Sequence, residues 1–152
     1  MNILIIEDGF EYLELMRRFL GDRYNFTRVE HFRSAVQRLE AFEVDLIYLD
    51  LNFERLDTEH LVGDWEALQT RFNGDSMKSQ RFVARNQGLY ILDALRREGH
   101  SVPVLISHDF SREKGRWSRI EARHKPIAYV SDNAGPNEIA AMFEKWRETL
   151  VR

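Results

Sequence analysis

The sequence predicts an α/β domain in which parallel strands alternate with helices that cover both faces of the sheet. Short apolar runs, typical of buried strands, alternate along the chain with segments whose apolar residues recur at helical spacing. Two of the apolar runs end in carboxylates, as strands that bring chemistry to one edge of a sheet often do. The length of 152 residues and the hydrophobic fraction of 43% suit one domain with a buried core.

The first three elements are a strand, a helix and a second strand. Residues 2–7 form a continuous isoleucine-rich run, which is typical of a strand buried on both faces. Glu11 to Leu20 is a predicted helix, and Gly21 is its predicted stop. Its apolar positions are Tyr12, Leu13, Met16, Phe19 and Leu20. Asn25 to Val29 is predicted as the short second strand.

The next two predicted elements are a second helix and a third strand. Ser34 to Phe42 is a predicted helix, with Ser34 as a candidate cap. Val36, Leu39 and Phe42 are its predicted inward positions. Asp45 to Leu51 is the third predicted strand.

The second half of the chain completes the alternation. Gly88 to Arg97 is a predicted helix that ends before Gly99, and Val102 to Ser107 is the fourth strand. Ile127 to Ser131 is the fifth strand. Pro136 to Leu150 is the last predicted helix, with proline in its first turn.

Two polar segments interrupt this pattern. Residues 53–87 are far longer than the usual connection between a strand and its helix, so we treat them as an insertion in a single domain over residues 1–152. Within the insertion, His60 to Phe72 has the spacing of a helix, and Ser79 to Asn86 suits a loop or a short helix. Residues 108–126 are strongly basic and are predicted to contain one helix.

The composition excludes several classes of function. A formal net charge of −3 gives no general electrostatic reason to expect nucleic-acid binding. The absence of cysteine excludes disulfides, thiolate catalysis and cysteine-ligated zinc, and it suits a cytoplasmic protein. No apolar stretch is long enough to span a membrane, and the N-terminus lacks the pattern of a signal peptide.

Acidic residues close the first and third predicted strands. Glu7 and Asp8 follow the first, and Asp50 ends the third. If these strands are adjacent and parallel, the three acids meet at the carboxyl edge of the sheet, where such sheets bind ligands. Three carboxylates repel one another unless a cation neutralises them, so they predict a hard divalent metal such as Mg²⁺. The alternative is that they are solvated acids at strand ends that bind no ligand.

These features resemble the receiver domain of bacterial response regulators, in the CheY-like superfamily, over nearly the whole chain apart from residues 53–87. The resemblance depends on the order and position of six marks. They are Ile5-Ile6-Glu7-Asp8 after the first strand, Asp50 at the phosphoacceptor position, Asn52 two residues later, Asn86-Gln87-Gly88-Leu89 at a helix entry, Ser107 at the Ser/Thr switch position and Tyr129 at the switch aromatic position. The resemblance implies a flavodoxin-like (βα)5 fold with five parallel strands in the order 2-1-3-4-5.

The resemblance also implies a mechanism. Asp50 would accept a phosphoryl group from a histidine kinase, a phosphotransfer protein or a small phosphodonor. Mg²⁺ would be held by Glu7 or Asp8, by Asp50 and by the main-chain carbonyl of Asn52. Ser107 would donate a hydrogen bond to the phosphoryl group, and its movement would let Tyr129 rotate and report the state of Asp50 to a downstream protein. The alternatives for the last two residues are an ordinary strand-end hydroxyl and simple core packing.

The sequence departs from the family at the fifth strand. Asp132 occupies the position where the family has a lysine that pairs with the phosphoryl group. Two unit charges of like sign about 4 Å apart repel by roughly 4 kcal/mol at an intermediate dielectric, which is enough to oppose phosphorylation. Lys125-Pro126 imitates the family's Lys-Pro dipeptide, but it precedes the strand instead of following it.

Other residues leave several interpretations open. His108 follows Ser107, where it could cover the pocket mouth, add a cation, or be an exposed loop residue. The insertion could place a cation over the acids, with Lys78, Arg81 and Arg85 as the candidates. It could instead be a lobe for a partner or a second copy of the chain, or a mobile loop.

Three functions follow from these observations. The first is a receiver that is phosphorylated on Asp50 and signals by protein contact, because no effector domain follows the last predicted helix. The second is a pseudo-receiver, a binding module whose state does not depend on aspartyl phosphate, favoured by Asp132 and His108. The third and weakest is a Mg²⁺-dependent phosphohydrolase, since Asn52 stands where one such family needs a second aspartate.

Overall fold

The alternation of strands and helices is confirmed by a computed structural model, which describes residues 1–151. The elements in chain order are β1 (Asn2–Ile6), α1 (Glu11–Leu20), β2 (Asn25–Val29), α2 (Phe32–Ala41), β3 (Leu46–Asp50), α3 (Ser76–Arg85), α4 (Gln87–Arg97), β4 (Val104–Ser107), α5 (Lys114–His124), β5 (Ile127–Val130) and α6 (Pro136–Val151). No helix among the described residues is long and apolar enough to cross a membrane.

The sheet has five parallel strands in the order β2-β1-β3-β4-β5, as predicted. Its central strands are almost completely buried, which explains their continuous apolar sequences. Side chains alternate between two cores. Ile3, Ile5 and Tyr48 pack on the side of α1 and α6. The opposite side chains of the same strands, such as Leu4 and Ile47, pack on the side of α2, α4 and α5.

The predicted boundaries of α2 are wrong in two respects. The helix begins at Phe32, and its cap is His31, whose ring nitrogen accepts a hydrogen bond from the backbone N–H of Ser34. The hydroxyl oxygen of Ser34 in turn accepts a hydrogen bond from the backbone N–H of His31, which completes a capping box. Phe42 lies just beyond the helix and is 55% exposed, under the guanidinium of Arg38. Similarly, Phe19 on α1 is exposed and does not join the core.

The insertion between β3 and α4 is ordered, but its first half is not the predicted α-helix. Residues 60–72 contain only the end of one short 3₁₀ turn (Thr58–His60) and a second such turn (Gln69–Phe72). Gly63, with a φ of 127°, breaks the helical path between them. The second half is the ten-residue helix α3, which is longer than the predicted short segment and begins at the Asp75 cap.

The two ends of the insertion are held together by hydrogen bonds. The backbone N–H of Phe53 donates to the carbonyl of Ala84 over 2.8 Å. The buried side chain of Gln87 donates to the carbonyl of Val62 and accepts from its N–H, each over 2.8 Å. These bonds fasten the insertion to the start of α4 as a packed lobe.

Candidate functional site

The candidate site lies at the carboxyl ends of β1, β3 and β4. Asp50, the last residue of β3, pairs in register with Ser107, the last residue of β4. Glu7 and Asp8 directly follow β1, which is the neighbour of β3 on its other side. The parallel sheet therefore brings the sequence-predicted residues of three strands to one edge.

Asp50 is a partly buried carboxylate in a negatively charged environment. Its Oδ1 accepts a hydrogen bond of 2.8 Å from the backbone N–H of Leu51. Burial raises the pKa of Asp50 to about 7, and the neighbouring charges of Asp8 and Glu7 add to this rise. A pKa near neutrality means that a cation bound here would stabilise the charged form of Asp50.

The side chain of Glu7 caps the start of α1. Its side chain is 1% exposed, and its two oxygens accept hydrogen bonds from the backbone N–H groups of Tyr12 at 3.1 Å and Leu13 at 2.9 Å. Phe10, at the N-cap position, has no side-chain acceptor, so Glu7 replaces the usual cap. Burial raises the pKa of Glu7 in spite of these bonds. Both oxygens of Glu7 are therefore engaged by the first turn of α1, and a metal at this edge would have to compete with these bonds.

Asp8 is paired with a cation from the insertion. The backbone N–H of Arg55 donates to its Oδ2 over 2.8 Å, and the Arg55 guanidinium lies 3.4 Å from its Oδ1. The same guanidinium contacts Glu11 at 2.7 Å and lowers the pKa of that carboxyl to about 2. Sequence reasoning did not identify Arg55, because nothing local in the sequence marks a contact across 47 residues.

The three basic residues that the sequence suggested lie elsewhere on the insertion. Arg85 pairs with Glu54, and Arg81 lines a separate depression beside Leu56 and Leu61. Lys78 is exposed near the start of α3, where its backbone N–H is capped by Asp75. The insertion thus brings a cation to the acids, but that cation is Arg55.

Ser107 is buried, and its hydroxyl is already engaged. It donates a hydrogen bond of 2.7 Å to the hydroxyl of Tyr12, on α1. Burial raises the pKa of Tyr12 to about 12, with further contributions from the charges of Asp50 and Asp132. Tyr12 is therefore a member of the site that sequence reasoning placed only in the apolar pattern of α1.

Tyr129 and His108 belong to an aromatic cluster beside the site. The ring of Tyr129 is half-buried, with its centroid 4.7 Å from that of Trp117 and 5.4 Å from that of Phe110. His108 lies edge-on to Phe110, and its Nε2 is 2.9 Å from the Oε2 of Glu113. Glu113 thus holds His108 toward the loop before α5.

The remaining predicted residues have clear positions. Asp132 is exposed in the turn after β5, near enough to Tyr12 for its charge to act on that hydroxyl. Lys125 precedes β5 and so lies at the opposite edge of the sheet, roughly 13 Å from the carboxyl end of a four-residue strand. The side-chain oxygen of Asn52 accepts from the N–H of Glu54, which fixes the turn after β3.

The side chains at this edge offer carboxylate oxygens, the type of donor that Mg²⁺ prefers. Within residues 1–151, no group of three or more acidic or histidine side chains is arranged to hold a metal ion. A bound Mg²⁺, which commonly uses one or two carboxylates and keeps several waters, would take its oxygen ligands from Asp8, Asp50 and the main-chain carbonyl of Asn52. Burial, followed by the charges of Asp8 and Glu7, raises the pKa of Asp50, and a bound cation would stabilise its ionised form.

No protein-family model matches this sequence, and no curated protein is significantly similar to it. The structure, however, is similar to several solved receiver domains. The receiver domain of the Francisella response regulator 1452 superimposes with a TM-score of 0.64 and 13% identity, covering 97% of this chain and 98% of that one. The receiver domain of NtrX from Brucella abortus gives 0.62 and 16%, covering 97% and 98%. The chemotaxis protein CheY4 from Vibrio cholerae gives 0.61 and 12%, covering 95% and 96%.

Proposed function

We propose that this chain, whose fold is that of response-regulator receiver domains, accepts a phosphoryl group on Asp50 and signals through protein contacts. The observation that carries this proposal is the register of the sheet, which sets Asp50 beside Ser107, with Asp8 close enough for its charge to act on Asp50. A carboxylate, a hydroxyl donor and a second acid at one edge are the groups that aspartyl phosphorylation requires.

In the proposed reaction, one oxygen of Asp50 attacks the phosphorus of the donor. The new bond joins that oxygen to phosphorus, and the bond between phosphorus and the donor breaks with its electron pair leaving on the donor. Since Oδ1 of Asp50 accepts from the Leu51 N–H, the other oxygen is the better nucleophile. Only the ionised carboxylate attacks, so a pKa of about 7 leaves part of the protein unreactive at neutral pH unless a cation shifts it.

Mg²⁺, held by Asp8, Asp50 and the carbonyl of Asn52, would neutralise charge on the phosphoryl oxygens. Ser107 would donate its hydroxyl to the phosphoryl group after leaving Tyr12. Arg55, already paired with Asp8, supplies a positive charge in place of the family's lysine. In this proposal the acids, the Ser107 hydroxyl and Arg55 of the insertion all serve the transfer of a phosphoryl group to Asp50.

The partners follow from the reaction. A histidine kinase or phosphotransfer protein would supply the phosphoryl group, and a downstream protein would read the result, in the cytoplasm where such donors act. Tyr129 is the proposed reporter of phosphorylation. It is half-buried between Trp117 and Phe110, and it lies on β5, the strand that pairs with the strand of Ser107.

The experiment that tests the proposal is intact-protein mass spectrometry after incubation with acetyl phosphate and Mg²⁺. A single phosphoryl adduct is expected, labile to hydroxylamine and absent from Asp50→Ala. Because some receivers accept only from a protein donor, the same measurement should include a promiscuous histidine kinase. The absence of any adduct with both donors would overturn the proposal.

A second candidate function is a pseudo-receiver, which binds a partner without aspartyl phosphate. Two observations favour it. Asp132 stands at the sequence position of the family's lysine and acts with a negative charge on Tyr12, and Arg55 already pairs with Asp8. Under this function the protein would keep the same partner affinity in Asp50→Ala, whereas a phosphorylated receiver would not respond to the donor after that change.

A further inference from the structure

The insertion helix α3, with α4 and α5, encloses a groove that the proposed phosphorylation does not use. Its volume is about 490 Å³, within the range of small-molecule sites. Phe82 and Asn86 at the end of α3 form one wall, so the insertion helps to build it. None of the residues assigned to phosphoryl transfer lines this groove.

The groove is strongly basic in a chain whose formal net charge is −3. Four arginines line it, with Asp93 as the single acid among the lining residues. The four are Arg97, Arg116, Arg119 and Arg123. Guanidinium groups bind phosphate oxygens with two parallel hydrogen bonds, which makes such clusters suited to phosphorylated ligands.

The arginines differ in how far they are already paired. Asp93 contacts both Arg97 and Arg123, and Arg116 pairs with Glu113 and donates to the side-chain oxygen of Asn86 over 2.7 Å. Arg119 makes no ion pair or side-chain hydrogen bond with residues 1–151. One guanidinium is therefore free for a ligand, and Arg97 and Arg123 share a single acid, Asp93.

The rest of the lining is apolar or aromatic, and it contains an unpartnered polar atom. Phe82, Leu89, Tyr90 and Ile120 contribute carbon surface. His124, at the end of α5, is 7% exposed, and its buried Nδ1 has no hydrogen-bond partner within residues 1–151. Burial lowers the pKa of His124, which keeps the ring neutral near pH 7. The neutral imidazole of His124 adds no positive charge to the groove, so the arginines are its cations.

We infer that this groove binds a small phosphorylated molecule with an aromatic or apolar body, such as a nucleoside diphosphate. The phosphates contact the arginines of α5, and the body covers the carbon surface of α3 and α4. The insertion thereby gives the protein a second input, separate from Asp50. This inference does not depend on the proposed phosphorylation.

The test is isothermal titration with ADP, pyrophosphate and adenosine in EDTA at about 50 mM salt, where surface charges are only moderately screened. EDTA prevents the ligand from being held through a metal at the acidic site. ADP is expected to bind more tightly than pyrophosphate and much more tightly than adenosine. Arg119→Ala should weaken ADP binding roughly tenfold, the effect of losing a charge-assisted contact.

Two control variants distinguish binding in this groove from nonspecific attraction to surface arginines and from binding at the acidic site. Arg112→Ala removes an exposed arginine just before α5 that does not line the groove, and it should leave ADP affinity unchanged. Asp50→Asn should also leave it unchanged, which keeps this inference distinct from phosphoryl transfer. Far-ultraviolet circular dichroism verifies that each variant is folded.

Four outcomes would overturn the inference. The first is no ADP binding at about 1 mM, and the second is an equal loss of ADP affinity in Arg119→Ala and Arg112→Ala. The third is pyrophosphate binding as tightly as ADP. The fourth is a single-stranded RNA oligomer that binds more tightly than ADP through the same arginines. The second would indicate nonspecific attraction, the third would remove the role of the apolar wall, and the fourth would indicate a nucleic-acid surface.

Discussion

The hydroxyl of Ser107 donates a 2.7 Å hydrogen bond to the hydroxyl of Tyr12, joining the end of β4 to the first turn of α1 across the candidate site. The bond spans 95 residues of sequence. Ser107 is 2% exposed, so water has little access to its hydroxyl. If Ser107 must turn to a phosphoryl group on Asp50, it has to give up Tyr12 first, and the two bonds compete.

This competition predicts the effect of Tyr12→Phe. Removing the acceptor leaves the Ser107 hydroxyl free, so labelling by acetyl phosphate should become severalfold faster, while the unfolding free energy falls by about 1 kcal/mol through the lost bond. The labelling rate is followed by intact mass and the stability by urea denaturation. Tyr90→Phe, a hydroxyl on α4 outside the site, is the matched control. A labelling rate unchanged in Tyr12→Phe would contradict the competition.

Arg55→Ala should change metal affinity and phosphorylation in opposite directions. Arg55 and Mg²⁺ both compensate the charge of Asp8, so removing the guanidinium should strengthen Mg²⁺ binding by about threefold to tenfold. The same change removes the positive charge that replaces the family's lysine, so labelling at saturating Mg²⁺ should become at least about tenfold slower. Trp fluorescence titration with Mg²⁺ and intact-mass kinetics measure the two effects.

Arg85→Ala is the matched control, because Arg85 belongs to the same insertion and forms its ion pair with Glu54 instead of with Asp8. It should leave both measurements within error of the unchanged protein. If Mg²⁺ affinity and labelling both fall in Arg55→Ala, then Arg55 organises the loop instead of competing for Asp8.

The fold and the acids at its edge could be predicted because their signals are local. Four of the five strands, β1, β3, β4 and β5, are apolar runs, and Asp50 and Ser107 mark strand ends that the parallel sheet must align. The start of α2 was missed because a histidine, which is not among the usual capping residues, accepts the capping hydrogen bond. The false helix at residues 60–72 has apolar spacing but is interrupted at Gly63, where the positive φ overrides periodicity.

The missed site residues have no local signal. Tyr12 fits the helical pattern of α1, and only the tertiary fold shows its hydroxyl at Ser107. Arg55 is one of many charged residues in a polar insertion, and its contact with Asp8 depends on how that insertion packs. The metal role of Glu7 stays a prediction, but its cap role has no local signal, because it depends on the absence of a capping side chain at Phe10.

Gly88 is required for the position of Asp50. A Cβ on Gly88 would lie 2.2 Å from the main-chain oxygen of Asp50, so a side chain there must displace the end of β3 or the start of α4. Gly88→Ala should therefore lower the unfolding free energy by roughly 2 kcal/mol or more and slow labelling of Asp50. Urea denaturation and intact mass measure these effects.

Gly115→Ala is the matched control for Gly88→Ala. Gly115 is also helical, but a Cβ there meets only the flexible end of Arg119 at 3.8 Å. Alanine at this position should stabilise the protein by about 0.5–1 kcal/mol, since it restricts the unfolded chain and favours helix. A destabilising effect of the same size at both positions would show that the close approach at Asp50 is not the cause.

Asp50 should make the metal-free protein less stable as the pH rises. The folded pKa, about 7, lies above the ordinary value of 3.8, so the folded state holds the proton more tightly than the unfolded chain. The resulting stabilisation is present below the unfolded value and is lost as the pH rises through the folded pKa. In EDTA at about pH 8, Asp50→Asn should be more stable than the unchanged protein by roughly 2–4 kcal/mol, and this difference should shrink toward about pH 5. A difference independent of pH in urea denaturation would contradict a raised pKa for Asp50.

The titration of His31 should have the opposite effect and make the protein less stable as the pH falls. Its neutral ring nitrogen accepts the capping bond from Ser34, and its ring stacks on that of His60 with centroids 4.3 Å apart. Burial lowers the pKa of His31, and His60 and Arg33 lower it further, although Glu30 opposes them. The folded state thus binds this proton less tightly than the unfolded chain, and stability is lost as the pH falls through about 6.5.

The test replaces His31 with a cap that does not titrate. His31→Asn keeps a side-chain acceptor for α2, so it should match the unchanged protein at about pH 7.5 and be more stable at about pH 5.5. His31→Ala loses the cap and should be less stable by about 1 kcal/mol at the higher pH. The unfolding free energies of the three proteins, measured by urea denaturation at both values, separate capping from protonation. If His31→Asn weakens as steeply with acid as the unchanged protein, another group near α2 carries the proton.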